Sequence, residues 1–200
     1  MTTAPATHSD HAPGVEEATG HARAMLAALG LVDGSEDTTD TPARFVKALA
    51  EMTAGAHLDP TRHLRVTFPA KSANPGMILV PDVRFTSVCE HHLLPFVGTA
   101  CVGYIPAAGA RIVGLSKLAR VVQEYAARPQ VQERLGEQVV DAITSTLDTV
   151  GAACLIRSEH SCMTLRGAKA SGAYMVTSHL SGAFYDNPTV RAEFLTLARG

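Results

Sequence analysis

Residues 77–106 read MILVPDVRFTSVCEHHLLPFVGTACVGYIP. The stretch predicts two strands with a connection rich in metal-binding side chains. Met77 to Val88 is rich in β-branched residues, and Val83 and Phe85 alternate with Arg84 and Thr86, the period of a strand that sends one face inward. Phe96 to Ile105 is a second run of the same kind, and Pro106 ends it. Two strands so close in sequence predict a hairpin, and a hairpin predicts an antiparallel sheet.

The flanking sequence supplies what covers that sheet. Leu118, Val121, Val122 and Tyr125 form one stripe over Lys117–Arg128, with Ser116 as a natural N-cap. Pro129 interrupts, because proline disfavours helix at the residue before it and suits a helix start. Val131, Leu135, Val139, Ile143 and Leu147 then recur every four residues. Two more strands follow, over Ala152–Leu165 and Ala173–Leu180, and a short helix over Thr189–Ala198 begins after Asn187-Pro188. Upstream lie two helices. One runs from Val15 to Leu29 and stops at Gly30; the other opens at Thr41-Pro42, with Thr41 as N-cap. The order is helical lead-in, ββ, αα, ββ, α. It predicts an α+β fold in which an antiparallel sheet is covered by helices on one face. The organisation expected is a disordered tail over 1–14, a helical region over 15–65 and a sheet-bearing domain over 66–200.

Composition bounds the function. The 200 residues carry 17 Lys and Arg against 19 Asp and Glu, a net charge of −2. This excludes a generally basic protein that coats nucleic acid and an acidic disordered chain. With no Trp and only 5% aromatic residues, the core must be largely aliphatic. No stretch approaches the ~18 apolar residues of a membrane span, and the N-terminus lacks the pattern of a signal peptide. A cytoplasmic protein without a membrane or nucleic-acid partner is expected. Four Cys without an export signal point to free thiols or thiolate ligands rather than a disulfide framework. Cys101 and Cys154 lie in apolar strand contexts and read as small buried hydrophobes. His8 and His11 read as solvated tail residues.

Four groups carry chemistry. Cys89 and His92 stand three apart where the first strand runs out, a spacing that lets a thiolate and an imidazole reach one ion across a turn; equally, such residues often satisfy local hydrogen bonds. A second cluster, Glu159-His160-Ser161-Cys162, falls in the third strand, and an antiparallel sheet can bring Cys162 to Cys89 and His92. Three protein ligands leave a fourth tetrahedral position open, as catalytic zinc sites do, with His91 and His160 beside them as titratable imidazoles. A third group is Ser116, Lys117 and Arg120 at a helix start, which suits phosphate; Arg166, Arg44 and Lys47 are further candidates. Phosphate-binding loops of the G-x-x-x-x-G-K-[ST] and G-x-G-x-x-G kinds are absent, as is the zinc deaminase signature. Gln132 and Glu133 open the long helix. They read either as residues complementing the helix dipole or as a carboxylate and amide gripping a guanine edge.

CEHHLLPF, GYIP, GLSKLAR, RPQVQERL, EHSCMTLRG and VTSHLSGAF with FLTL stand in this order over roughly residues 40–200. Together they resemble the GTP cyclohydrolase I family. The resemblance implies the tunnelling fold, a ββααββ unit assembled into a homodecamer of two pentamers. It also implies conversion of GTP and water to formate and dihydroneopterin triphosphate, the first step of tetrahydrofolate and pterin biosynthesis. Carried over by motif, Cys89, His92 and Cys162 correspond to the ligands of a Zn2+ ion, and His91, His160 and Ser116 to catalytic residues. Gln132 and Glu133 match the guanine-binding pair, and Lys117, Arg120 and Arg166 the triphosphate site, with Arg44 and Lys47 contributed by an adjacent subunit. The competing readings are a relative acting on another purine or pterin, which would lack the combination of zinc triad and Gln–Glu pair intact here, and a non-catalytic ring that only binds nucleotide, which would not need His91 and His160.

Overall fold

A computed structural model describes residues 14–199; the tail read over 1–14, apart from Gly14, lies outside the described residues, and so do His8 and His11. The chain forms two compact units that part between Glu51 and Met52. In the first, α1 (Val15–Ala28) ends as its sequence predicts. Gly30 takes a φ of 67°, its N–H bonds to Ala27 O, and Leu31 N bonds to Leu26 O. That paired closure needs a left-handed residue, which glycine supplies. The second helix, α2 (Thr41–Met52), starts one residue earlier than expected. Asp40 O accepts the first helical bond, from Arg44 N, so Thr41 is already inside the helix. Met25, Leu29, Leu31 and Phe45 remain exposed.

In the second unit a 3-10 turn over Pro60–Arg65 is capped by Asp59, whose carboxylate accepts from Thr61 N. The strands are β1 (Thr67–Pro69), β2 (Ile78–Cys89), β3 (Pro95–Pro106), β4 (Arg111–Val113), β5 (Pro129–Gln130), β6 (Thr149–His160) and β7 (Met175–Leu180). The helices are α3 (Leu115–Ala126), α4 (Gln132–Thr146), the single turns α5 (Ser161–Thr164) and α6 (Ala183–Asp186), and α7 (Pro188–Leu197). β1 pairs with β4 as a small ribbon, and the main sheet has the order β5-β2-β3-β6-β7.

β2 keeps the expected alternation over Val83–Ser87 after one interruption, whereas β3 and β6 are buried continuously over Ala100–Tyr104 and Gly151–Cys154. The register of β2 against β3 shifts between Val80 and Val83, where Pro81 lacks a donor and Asp82 takes a φ of 51°. This bulge lets Ile78 and Val80 before it, and Val83 and Phe85 after it, all reach the same core. That core fills the space between the sheet and α3 and α4. Leu118, Val121, Val122, Leu135, Val139 and Ile143 meet Phe96, Ala100, Val102 and Ile156 there, all buried.

Several expectations need correction. The sheet is mixed, because β5 pairs parallel to β2 through Val88–Pro129 and Cys89–Gln130; two residues are too few to show a period in sequence. Helices do not cover one face alone. Phe184 of α6 and Phe194 of α7 pack with Cys101 and Ala153, which point away from α3 and α4. The strand expected over 152–165 runs instead from Thr149 to His160 and then turns into α5, so Cys162 sits on a helical turn. The last strand begins at Met175. Ser116 does not cap α3: Gly114 holds the cap position and its carbonyl receives Lys117 N, leaving Ser116 exposed in the first turn. Val131 caps α4 rather than belonging to it.

Candidate active site

The hairpin between β2 and β3 builds the first half of the site. Cys89 closes its turn through its own backbone, its N–H bonding to Leu94 O and its carbonyl receiving Leu93 N, with Leu93 at a φ of 54°. The turn lifts His91 and His92 out of the sheet end, and Cys89 Sγ lies 3.8 Å from His92 Nδ1. The second half arrives on β6. Phe96 pairs with His160 in register, which brings α5 to the same sheet end. Ligand atoms of Cys89, His92 and Cys162 all lie within 4.8 Å of one another.

Two sulfurs and one imidazole nitrogen suit a tetrahedral metal, whose bonds of 2.0–2.3 Å set donors about 3.3–3.8 Å apart. Electrostatics point the same way. Burial and the neighbouring Cys89 sulfur push the Cys162 thiol up, and a divalent cation relieves such a crowded pair. Cys101 is pushed up to about 11 by burial first and by Asp82 second, and burial raises Cys154 further. Both are inert buried thiols, as their apolar strand contexts imply.

The parallel strand β5 fixes the start of α4 against Cys89, and a polar network locks the junction. Glu90 N donates to Gln130 O. Gln130 is fully buried: its amide N–H donates to Tyr125 O and Gln138 Oε1, and its oxygen accepts from Arg134 Nε at 2.7 Å. Arg134 also binds the Glu90 carboxylate and holds it below its ordinary pKa. Sequence reasoning missed this network, since a buried Gln and an Arg–Glu pair across distant segments leave no periodic mark.

Beyond the junction, Gln132 is fully buried and Glu133 is exposed beside it. Gln132 Nε2 donates to Ile156 O, Met175 O and Thr177 Oγ1 at 3.2, 3.3 and 3.1 Å. Gln132 Oε1 accepts from the Ser158 hydroxyl and lies 3.0 Å from His160 Nε2. His160 stacks on Phe96 with ring centroids 4.5 Å apart and planes 7° from parallel. Burial lowers its pKa, while the charge of Glu133 pulls the other way. Ser158 and Phe96 were also missed; the period of two places Ser158 on the same strand face as His160, a signal legible once the strand is known.

The predicted residues therefore divide. Cys89, His91, His92, Gln132, Glu133, His160 and Cys162 converge at one sheet end. Arg166 is exposed, and its charge still acts on Cys162. Ser116, Lys117 and Arg120 lie towards the other end of α3. That helix starts after β4, where Tyr104 OH receives Val113 N at 2.9 Å, and ends at β5 beside Cys89. Ten residues of helix, about 15 Å, separate Ser116 from Ala126. Arg44 is on α2 in the first unit, paired with Asp40 at 3.1 Å, and Lys47 is one turn further along.

Known proteins resemble this chain over most of its length. A family model described as GTP cyclohydrolase I matches residues 18–199. GTP cyclohydrolase 1 of Dehalococcoides mccartyi is 46% identical over 173 residues, 86% of this chain and 90% of that protein. GTP cyclohydrolase 1 of Corynebacterium glutamicum is 44% identical over 185 residues, 92% of this chain and 93% of that protein. A crystal structure of the archaeosine synthase QueF-Like in the apo form aligns at 17% identity and a TM-score of 0.44, over 54% of this chain and 95% of that one; a likeness so slight carries no argument. With a model matched from Thr19's neighbour Ala18 to Arg199 and relatives near 45% identity over most of both chains, the protein belongs to the GTP cyclohydrolase I family.

Proposed function

We propose that this enzyme converts GTP and water to formate and 7,8-dihydroneopterin triphosphate, the first step of tetrahydrofolate and pterin biosynthesis. The observation that carries the reading is the convergence of a Cys–His–Cys donor set with His160, His91 and Glu133 at one sheet end, in a chain of this family. Cys89, His92 and Cys162 would hold Zn2+, whose chemistry when bound is Lewis-acid activation of water for attack on the purine.

The chain's own residues supply the rest. The Glu133 carboxylate accepts hydrogen bonds from guanine N1–H and from the exocyclic amine. It is free to do so because it stands exposed on the first turn of α4. His91, two-thirds exposed, donates a proton to N7 as the imidazole ring of guanine opens. His160 moves a proton as the ribose opens, and Ser116 stabilises the enol of the rearrangement that follows. Lys117, Arg120 and Arg166 offset the triphosphate, joined by Arg44 and Lys47.

The spread of these residues favours a shared site. The α3 cations stand about two helical turns or more from the Cys–His–Cys end, so a neighbouring copy is the natural source of part of the phosphate site. Exposed Met25, Leu29, Leu31 and Phe45 on the lead-in offer apolar surface that a neighbouring copy can cover. The assembly we propose is a decamer of two pentamers built from the tunnelling fold. The test is incubation of purified, zinc-loaded protein with GTP. Stoichiometric formate and a pterin that fluoresces after oxidation are expected; GTP recovered unchanged would overturn the reading.

A further inference from the structure

We propose, on the reading above that Cys89, His92 and Cys162 hold Zn2+, that Arg134 is a positioning residue. By clasping Glu90 and both residues of β5, it pins the Cys89–His92 turn to the start of α4 and so holds the Cys–His–Cys donors at a spacing that one ion can bridge. It acts through Glu90 and Gln130, not as a ligand.

The turn needs an outside hold. β5 pairs with β2 through two residues, Pro129 beside Val88 and Gln130 beside Cys89, and proline brings no N–H to that ladder. Beyond Cys89 the chain leaves the sheet, with Glu90, His91, His92 and Leu93 all exposed and Leu93 at a φ of 54°. A turn so exposed is fixed little by packing. Glu90 N–H bonds to Gln130 O at 3.0 Å, and side chains supply the rest.

Arg134, in the first turn of α4, is placed to supply that hold. Its guanidinium meets three acceptors. Nε donates to Gln130 Oε1 at 2.7 Å, and Nη2 donates to Pro129 O at 3.2 Å and to the Glu90 carboxylate. The surroundings fix which way the Gln130 amide points. One end faces Tyr125 O, which can only accept, and the other faces Val131 N, which can only donate. The oxygen therefore faces Arg134, and the residue is fully buried. Exposed ion pairs contribute little, because two long side chains must be ordered to make them. Here a buried amide and a backbone carbonyl already order the guanidinium, so Glu90 meets a fixed donor. The other Glu90 oxygen lies 4.0 Å from His91 Nε2, and that imidazole is two-thirds exposed, so it adds little to the hold.

Charge and positioning predict opposite signs for Arg134→Met. A cation near the donor set repels a dication, so charge alone has the variant bind zinc more tightly. Loss of the clasp has it bind zinc more weakly, on the order of 10- to 100-fold. The experiment titrates the full-length, zinc-loaded protein with a chromogenic chelator to read zinc affinity. Protein loaded with Co2+ instead reports the donor geometry through its absorption bands. In Arg134→Met the Gln130 oxygen keeps Val131 N at 3.2 Å, so no buried polar atom is orphaned and the fold should survive, as circular dichroism checks. Glu90→Leu should lose as much affinity as Arg134→Met, and the double variant no more than either, because each change opens the same clasp. Glu90→Gln keeps an acceptor for Arg134, so it should recover most of the affinity and the parent Co2+ bands. An Arg134→Met protein that binds zinc as tightly as the parent, or more tightly, would overturn the proposal, and so would single losses that add in the double variant. If Arg134→Met fails to fold, Glu90→Leu against Glu90→Gln decides: equal losses would leave only the charge of Glu90 at work. A parent that binds no zinc would sink the metal reading itself, whereas a zinc-binding parent with parent-like variants sinks the clasp alone.

Discussion

Helix α3 joins two regions that treat their polar groups in opposite ways. At its C-terminal end, Gln130, Gln132 and Ser158 are buried, and their side chains find partners on α3, α4, β6 and β7. At its N-terminal end, Ser116 and Arg120 face solvent, and Lys117 is half-buried. Among the described residues neither cation there has an ion-pair partner. The first region is finished within one chain: a buried amide that costs energy to leave unpaired must be oriented before substrate arrives. The second region is unfinished, as a patch that meets a flexible, highly charged triphosphate can be, because cations in water keep their solvation until the anion displaces it. On the function proposed above, precision would stand where protons move and adaptability where charge is neutralised.

The sharpest way to break the comparison is to empty the finished end. Cys162→Ala should abolish metal binding and reduce activity on the order of 10³-fold or more, the several kcal/mol of a lost Lewis acid. Metal analysis alongside circular dichroism checks it: zinc at one equivalent per chain in the variant would remove Cys162 from the site. Glu133→Gln tests the border between the regions. An amide presents a donor to one of the two guanine donors, so GTP affinity should fall by a few kcal/mol, on the order of 10²-fold, with metal content unchanged. Parent-like affinity in a binding titration would leave Glu133 as a helix-dipole residue.

Lys117→Ala probes the open end and should cost about tenfold or more in GTP affinity, an effect that shrinks as salt rises. Mixing dissociated Lys117→Ala and His91→Ala chains and reassembling them sharpens this. A site shared between copies combines the intact Lys117 of one with the intact His91 of the other, so activity should return; mixed rings without activity would place both residues in one chain's site. The smallest effect on turnover is expected for Tyr104→Phe. It removes the acceptor for Val113 N–H at the base of α3 and should lower stability by about 1–3 kcal/mol, read as a lower denaturant midpoint, while zinc content stays at the parent level.

Much of this architecture is legible in the sequence. Val83 and Phe85 against Arg84 and Thr86 mark β2, the stripe from Leu118 to Tyr125 marks α3, and Asn187-Pro188 marks the start of α7, where the Asn187 side chain accepts from Thr189 N. These signals are local, since each depends only on side-chain period or on the backbone chemistry of proline and capping residues. The donor set is nearly legible as well, because Cys89 and His92 are three residues apart, and Cys162 needs only the assumption of an antiparallel sheet. The tertiary structure decided what depends on pairs distant in the chain. It placed a two-residue parallel strand beside Cys89, turned Cys162 onto a helix, and moved α7 to the opposite sheet face. It also placed Gln132 inside, against β6 and β7. A glutamine at the first turn of a helix carries the same letters whether it faces water or two carbonyls, and only the surroundings that β6 and β7 build around it select between donor and acceptor at each end of its amide.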